Sequence, residues 1–299
     1  MKRVLVLMAS YNGEKYIDAQ LESLFSQEGV QVQVLVRDDG SSDTTKEKLA
    51  QWAEKADLQW YAGEHLNVQF GFYELMVKAL EFDADYFALC DQDDVWHPDK
   101  LRVAAVQLEQ VPQEQPGLYY CGQRLVDAQL NEIGIHRLNE KRSVRTRFVC
   151  SDMAGCTAVM NRALLEKVAA YRPAYMRMHD LWLVKVCVGL GGQLLVDPAP
   201  HIDYRQHGNN TVGLKGGFRA KLTQAKKLIF EHDITRQMQE LKAGYWEEIT
   251  PEYRQVMEHI FASKHSLASK RKLLDKSYVD FHNKGVNAAF AIKVLLGKV

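Results

Sequence analysis

The sequence predicts an α/β fold, a sandwich built on a largely parallel sheet with a helical C-terminal extension, and three observations carry that prediction. Short apolar runs alternate with amphipathic stretches in the order strand, helix, strand, helix, which implies right-handed crossovers. The first run, residues 4 to 9 (VLVLMA), is apolar throughout rather than alternating, as a strand covered on both faces must be. Each run then ends in a polar cluster: Ser10-Tyr11-Asn12, Asp38-Asp39-Gly40-Ser41, and Asp91 to Asp94. In an open parallel sheet the carboxyl ends of the strands line one edge, where ligands bind, so the three clusters are expected to share one crevice.

Taken in order, strands are expected at 4–9, at 32–36 (VQVLV) and at 86–90 (YFALC). Between the first two, EKYIDAQLESLFSQ puts Tyr16, Ile17, Leu21, Leu24 and Phe25 on one helical stripe, with Asn12 as candidate cap. TTKEKLAQWAEK follows, with Asp43 as candidate cap, and PDKLRVAAVQLEQV carries Pro98 or Asp99 in its first turn. From about 115 to 214 the pattern is mixed: GLYYCGQRLVD, a turn through AQLNEIG, the segment MAGCTAVMN, and a helix over RALLEKVAAY. A second helix over DLWLVKVCVGLG is closed by glycines, and two strands, GQLLVD and HIDYRQH, come after it. Residues 217–299 read as helices broken near Thr250-Pro251 and Lys276-Ser277. A catalytic region at 1–214 and a helical region at 215–299 are therefore expected.

With 46% hydrophobic and 25% charged residues, the 299-residue chain can bury a full core. No run approaches roughly eighteen consecutive apolar residues, and no small-residue cleavage site follows the N-terminal apolar segment, so a cytoplasmic protein is expected. The five cysteines, Cys90, Cys121, Cys150, Cys156 and Cys187, form no CxxC pair and read as buried thiols. The formal net charge of zero hides a split: residues 1–214 carry 22 Lys+Arg against 29 Asp+Glu, residues 215–299 carry 16 against 9. In KGGFRAKLTQAKKLIF, residues 215–230, Phe218, Leu222, Ala225, Leu228 and Ile229 share a stripe flanked by Arg219, Lys221, Lys226 and Lys227, and SKRKLLDK at 269–276 is a second basic cluster. This suits an interfacial helix on an anionic membrane surface, and equally a helix packed on the catalytic domain. Nucleic acid is disfavoured as a partner because the basic residues alternate with Leu and Phe at helical spacing rather than with stacking aromatics.

The chemistry concentrates in ALCDQDDVWHPDK. Neighbouring carboxylates repel unless cations, protons or hydrogen-bond donors compensate them, and a bound hard divalent cation would do so. Helix capping explains one aspartate there, hardly three in four positions. Asp39 lies in a Gly40-centred turn, and Asp180 opens an apolar helix that it can also cap. Arg205 can pair with phosphate or with a structural carboxylate. Trp96 and Trp182 can stack on sugars or fill the core.

As a set, and in order over about residues 1 to 214, the motifs ASYNGEKYIDAQLESLFSQ, VRDDGSSDTT, LCDQDDVWHPDKL, MHDLWL and YRQHGNNT resemble those of family 2 glycosyltransferases with a GT-A fold. The closest resemblance is to the bacterial rhamnosyltransferase-like branch of cell-wall polysaccharide synthesis. It implies a nucleotide-sugar site made of Ala9, Ser10, Tyr11, Asp39, Asp91, Gln92 and Arg205, in which Asp39 accepts from the pyrimidine imide and Asp38 supports its loop. It implies Mn²⁺ or Mg²⁺ held by Asp91 and Asp93, with His207 as a third ligand that Mn²⁺ tolerates better. Asp180 would be the general base of an inverting displacement, with His179 shaping its pocket. The implied donor is dTDP-L-rhamnose or a UDP-sugar, and the implied acceptor a saccharide, in such enzymes usually one on a polyprenyl diphosphate at the inner face of the cell membrane.

Competing functions leave weaker traces. A nucleotidyltransferase should carry a glycine-rich basic loop after the first strand, and a nicotinamide-dependent oxidoreductase a GxGxxG; ASYNGEKY has one glycine. A transferase using UDP-glucose, UDP-galactose or UDP-GlcNAc stays open. So does a non-catalytic nucleotide or carbohydrate-binding protein, although Asp39, Asp91, Asp93 and Asp180 are all in place.

Overall fold

The computed structural model describes residues 1–206 and 233–299. Strand β1 (Lys2–Ser10) lies between β2 (Val30–Asp38) and β4 (Tyr86–Cys90), with β3 (Leu58–Ala62) outside β2, and all four run parallel. The register pairs Ser10 with Asp38 and Met8 with both Val36 and Cys90. The three polar clusters thus emerge side by side at one sheet edge, as the sequence predicts.

Beyond β4 the sheet turns mixed. Strand β8 (Val159–Asn161) is antiparallel to β4, β6 (Gly117–Val126) is antiparallel to β8, and β9 (Gln193–Arg205) is parallel to β6. Short β5 (Val95–Trp96) pairs antiparallel with β9, and β7 (Glu132–His136) with β6. Along β1, Val4, Val6 and Met8 enter one core while Leu5 and Leu7 enter the other, which is why VLVLMA shows no polar alternation. Helices α1 (Ile17–Phe25) and α4 (Lys100–Leu108) cover the first face through Leu21, Leu24, Leu101 and Ala104. The second face is covered by α3 (Val68–Lys78), α6 (Arg162–Ala169) and α7 (His179–Gly189), with Phe72, Leu165 and Trp182 in its core.

The C-terminal helices join that second core. Those described are α8 (Ile234–Tyr245), α9 (Pro251–Ala262), α10 (Leu267–Leu274) and α11 (Lys284–Leu296), after α2 (Thr45–Lys55) and α5 (Val144–Val149) earlier in the chain. Met238, Leu241, Val256 and Ile260 are fully buried in the cluster that holds Leu5 and Trp182. The interfacial stripe of 215–230 and His207 lie outside the described residues.

Several local expectations need correction. Asn12 is not the cap of α1, whose cap position is Tyr16; with a positive φ of 48°, Asn12 turns its Oδ1 to the Ser42 N–H at 2.9 Å. Asp43 sits one residue before the α2 cap position, Thr44, and accepts from the Thr45 N–H at 3.0 Å. Asp180 is the second residue of α7, whose cap position is Met178, so capping is not its role. GQLLVD and HIDYRQH are one continuous strand, because β6 offers a single long partner that absorbs the irregularity near Pro198 and Pro200. Strand β3 and helix α3 carry weak periodicity and were not expected. Another helix break falls at 263–266, between α9 and α10. Trp96 and Trp182 are core residues, 2% and 0% exposed, and all five cysteines are free thiols.

Candidate active site

The end of β1 is tied to the acidic loop by one side chain. Gln92 accepts at Oε1 from the Tyr11 N–H (2.9 Å) and the Ser10 hydroxyl (3.1 Å), and its Nε2 donates to the Tyr11 carbonyl at 2.9 Å. The close fit needs Gly13, where a Cβ would stand 2.3 Å from Gln92 Oε1. Asp38, fully buried, accepts from the N–H groups of Gly40 (3.1 Å) and Ser41 (2.9 Å), so it builds the turn that presents Asp39. Buried Arg37 forms an ion pair with Asp39, donates to Glu74 at 3.1 Å and reaches the Glu64 carbonyl at 2.8 Å. His65 closes this wall. Its Nδ1 lies 3.2 Å from the Asp39 carbonyl, which can only accept, and its ring meets Tyr11 at 4.8 Å and 51°.

After β4, Asp91 and Asp93 face a cavity of about 460 Å³, while Asp94 turns beneath them, 0% exposed. Asp94 accepts from the Arg205 N–H at 3.0 Å through Oδ1, and its Oδ2 has no hydrogen-bond partner among the described residues. Burial, reinforced by Asp93 and Asp180, pushes the Asp91 carboxyl up to about 7, and burial beside Asp93 and Asp91 pushes Asp94 well above the usual range. Neither caps a helix; the cap position of α4 is Asp99. Below the loop, fully buried Lys100 sits 3.1 Å from the Trp96 ring centre, and desolvation lowers its pKa.

Across the cavity, the first turn of α7 supplies Asp180. Burial raises its carboxyl to about 6, against the Leu181 N–H at 2.5 Å, the Lys185 ammonium and the Gly155 amide, which favour ionisation. Lys185, on the same helix, is fully buried and brought down to about 8. Its Nζ donates to the Val149 carbonyl at 3.5 Å. His179 stacks on Phe72 at 4.1 Å, and desolvation lowers its pKa to about 3.

One cavity therefore brings together Ala9, Ser10, Tyr11, Asp39, Asp91, Gln92, Asp93 and Asp180. Arg205 is not in its lining. It is buried behind the acidic loop, where Nε donates to the Asp93 carbonyl and Nη1 to the Ala128 carbonyl, both at 2.8 Å, with the guanidinium 4.5 Å from the Tyr16 ring centre. Sequence reasoning missed several wall residues, among them Gly71, Phe72, Gln123, Met153, Gly155 and Cys156, as well as His65 and Lys100. Apart from Lys100, which closes the acidic segment itself, these come from segments with no concentrated polar signal, and only the tertiary packing turns them inward.

Comparison with known proteins gives the family and the fold. The family model for glycosyl transferase family 2 matches residues 5–169. The dTDP-rhamnosyl transferase RfbG of Shigella flexneri is 27% identical over 227 residues, covering 72% of this chain and 76% of that protein. The mannosyltransferase PcManGT from Pyrobaculum calidifontis, solved with GDP-Man and Mn²⁺, superposes with a TM-score of 0.58 at 16% identity, covering 100% of this chain and 88% of that one. TarS from S. aureus, solved with UDP-GlcNAc, gives 0.56 at 15% identity over 100% and 93%. These likenesses show the GT-A fold. The chain belongs to glycosyl transferase family 2.

Proposed function

We propose that this protein is an inverting, divalent-metal-dependent glycosyltransferase that moves L-rhamnose from dTDP-L-rhamnose onto a saccharide carried on a polyprenyl diphosphate. The observation that carries the reading is the single cavity with Tyr11 and Asp39 on one wall, Asp91 and Asp93 beside them, and Asp180 near enough for its charge to raise Asp91.

The residues fit a hard divalent cation. Two carboxylates share the cavity, and burial, reinforced by Asp93 and Asp180, holds Asp91 toward its protonated form, a cost that a bound cation would relieve. Asp91 and Asp93 would hold Mn²⁺ or Mg²⁺, which supplies positive charge against the departing diphosphate. Asp39 accepts the imide N–H of a pyrimidine, while Tyr11 and His65 flank the base. Asp180 takes the proton of the acceptor hydroxyl at its carboxylate, and a pKa near 6 leaves it ionised yet basic at neutral pH. A single displacement needs one base and a departing diphosphate, and no covalent nucleophile.

RfbG supports rhamnose as the transferred sugar and TarS supports a UDP-sugar as the second reading. A thermal-shift and hydrolysis panel with Mn²⁺ or Mg²⁺ separates them. A donor at a hundred times its Kd should add roughly 2.7 kcal/mol, and a response to UDP-glucose but not to dTDP-L-rhamnose would replace the donor.

The reading also places the enzyme peripherally at the inner face of the membrane. No helix among the described residues is long and apolar enough to cross one. On the outer side of α10 and α11, Leu267, Ile292, Leu295 and Leu296 are exposed, and Lys270 donates to the Leu295 carbonyl at 2.8 Å. Apolar side chains rimmed by lysine suit an anionic lipid surface.

A further inference from the structure

We infer that Gln123 and His136 bind the acceptor saccharide, taking hydroxyls of its terminal sugar on the cavity wall that faces away from the nucleotide; this rests on the nucleotide-sugar reading of the cavity. The two residues are register partners across the antiparallel β6–β7 pair, so their side chains project from one face as close neighbours. Gln123 shows which face that is. Its Nε2 donates to Cys156 Sγ at 3.7 Å, and Gln123, His136 and Cys156 all line the cavity. The backbone is closely packed at this point: a Cβ on Gly122 would lie 2.6 Å from the Pro198 carbonyl oxygen and 3.1 Å from that of His136. Gln123 Oε1 and both ring nitrogens of His136 have no hydrogen-bond partner among the described residues, and none of the three is sealed from open space. They are polar atoms of the wall left for a ligand.

Their chemistry identifies the class of ligand. The amide oxygen accepts, and a neutral imidazole offers one donor and one acceptor, which together match sugar hydroxyls, since each hydroxyl both donates and accepts. Burial holds the His136 ring toward its neutral form against the neighbouring Asp152 carboxylate, and Arg142 acts in the same direction as burial. Asp152 lines the same cavity, its charge met by Arg142 and Arg147, both at 3.3 Å. Among the described residues no lysine or arginine lines the cavity, so this wall offers a phosphate no cation. A neutral, hydroxyl-bearing molecule fits it.

Position selects the acceptor. Strands β1 and β2, which lead into Tyr11 and Asp39, lie on one side of β4, and β8, β6 and β7 lie on the other. Ala88 of β4 pairs with Val159, and Val159 with Tyr119 of β6. Gln123, four residues further along β6, therefore stands roughly level with the acidic loop and two strand spacings from it, about 10 Å. The donor's sugar is bonded to the diphosphate and stays beside Asp91 and Asp93. The wall beyond is left to the second molecule, in the same cavity as Asp180.

The test titrates p-nitrophenyl glycosides of L-rhamnose, D-glucose, D-galactose and N-acetyl-D-glucosamine into the full chain with Mn²⁺ and saturating dTDP or UDP, and compares Gln123→Ala, His136→Ala and His136→Asn with the unaltered protein. At least one glycoside should bind the unaltered protein. Each alanine variant should weaken that binding about tenfold, the loss of one hydrogen bond, while affinity for dTDP, UDP and their sugar forms stays within twofold. His136→Asn, which restores a donor and an acceptor, should recover part of the loss. If neither dTDP nor UDP binds at all, the reading of the cavity falls, and this inference with it. With nucleotide binding intact, the absence of glycoside binding, or unchanged glycoside affinity in both alanine variants, would overturn the inference alone. Equal loss of nucleotide and glycoside in all three variants would assign the pair to the fold, and a selective loss of the sugar form over the diphosphate would assign it to the donor; either result overturns the acceptor subsite.

Discussion

Asp94 and Arg205 clasp the acidic loop to the end of β9 across 111 residues: the Arg205 backbone N–H donates to Asp94 Oδ1 at 3.0 Å, and the guanidinium Nε donates to the Asp93 carbonyl at 2.8 Å. The side chain also reaches the Ala128 carbonyl at 2.8 Å, so it fixes the position of the Asp93 backbone. Lysine has no rigid fork to reach both Asp93 and Ala128. Arg205→Lys should therefore cost about 1–3 kcal/mol in thermal or urea unfolding and weaken Mn²⁺-dependent nucleotide binding. An arginine serving phosphate alone would leave unfolding untouched.

Asp180→Asn should keep nucleotide-sugar affinity and reduce transfer by roughly 10²- to 10⁴-fold, the range of a lost general base. Asp93→Ala should lose both binding and transfer. With the Asp180 carboxyl raised to about 6, kcat/KM of the unaltered protein should climb as pH rises through that value, because only the ionised form accepts a proton. Transfer by Asp180→Asn at the parental rate would remove this base.

The raised carboxyls make a prediction about stability without metal. Asp91 titrates near 7 in the folded protein, and an ordinary aspartate near 4. Between those values the folded chain holds a proton that the unfolded chain has released, so this group's contribution falls as pH rises. His179, held neutral by burial, works in the opposite direction below about pH 6.5, so the difference between variants is the useful quantity. Metal-free Asp91→Asn should gain stability relative to the parent as pH rises from about 4 to 7, by roughly 1–3 kcal/mol. Saturating Mn²⁺ should abolish the gain. Chemical unfolding at a series of pH values reads both, and parallel curves would contradict the raised pKa.

His65 is exposed, and its Nδ1 lies 3.2 Å from the Asp39 carbonyl while its ring flanks Tyr11. Substitution by alanine should leave the melting temperature nearly unchanged and weaken UDP or dTDP binding several-fold, the scale of one lost stacking contact. Isothermal titration decides it; a large fall in stability with unaltered nucleotide affinity would assign His65 to the fold.

Leu295→Asp together with Lys270→Glu should reduce co-sedimentation with vesicles containing anionic phospholipid and leave nucleotide binding intact. Equal sedimentation of parent and variant would take membrane contact away from this face.

The sequence by itself determined the parallel half of the sheet and its active edge. The unbroken apolar run of β1 and the polar clusters at Ser10, Asp38 and Asp91 are local properties of the chain, and any parallel pairing of those strands brings the clusters together. Asp180 is a site candidate through the resemblance of MHDLWL to a family motif rather than through any local property of the chain. Tertiary structure alone decided which way side chains turned. Arg205 stands at the end of a strand whose pairing with β6 points it behind the loop, and the sequence does not encode that register locally. Phe72 and Gly155 reach the cavity only because α3 and the segment before β8 pack across the sheet, a consequence of shape complementarity between surfaces far apart in sequence. The same long-range packing joins the C-terminal helices to the core around Trp182, where an amphipathic stripe read alone fits lipid or protein equally well.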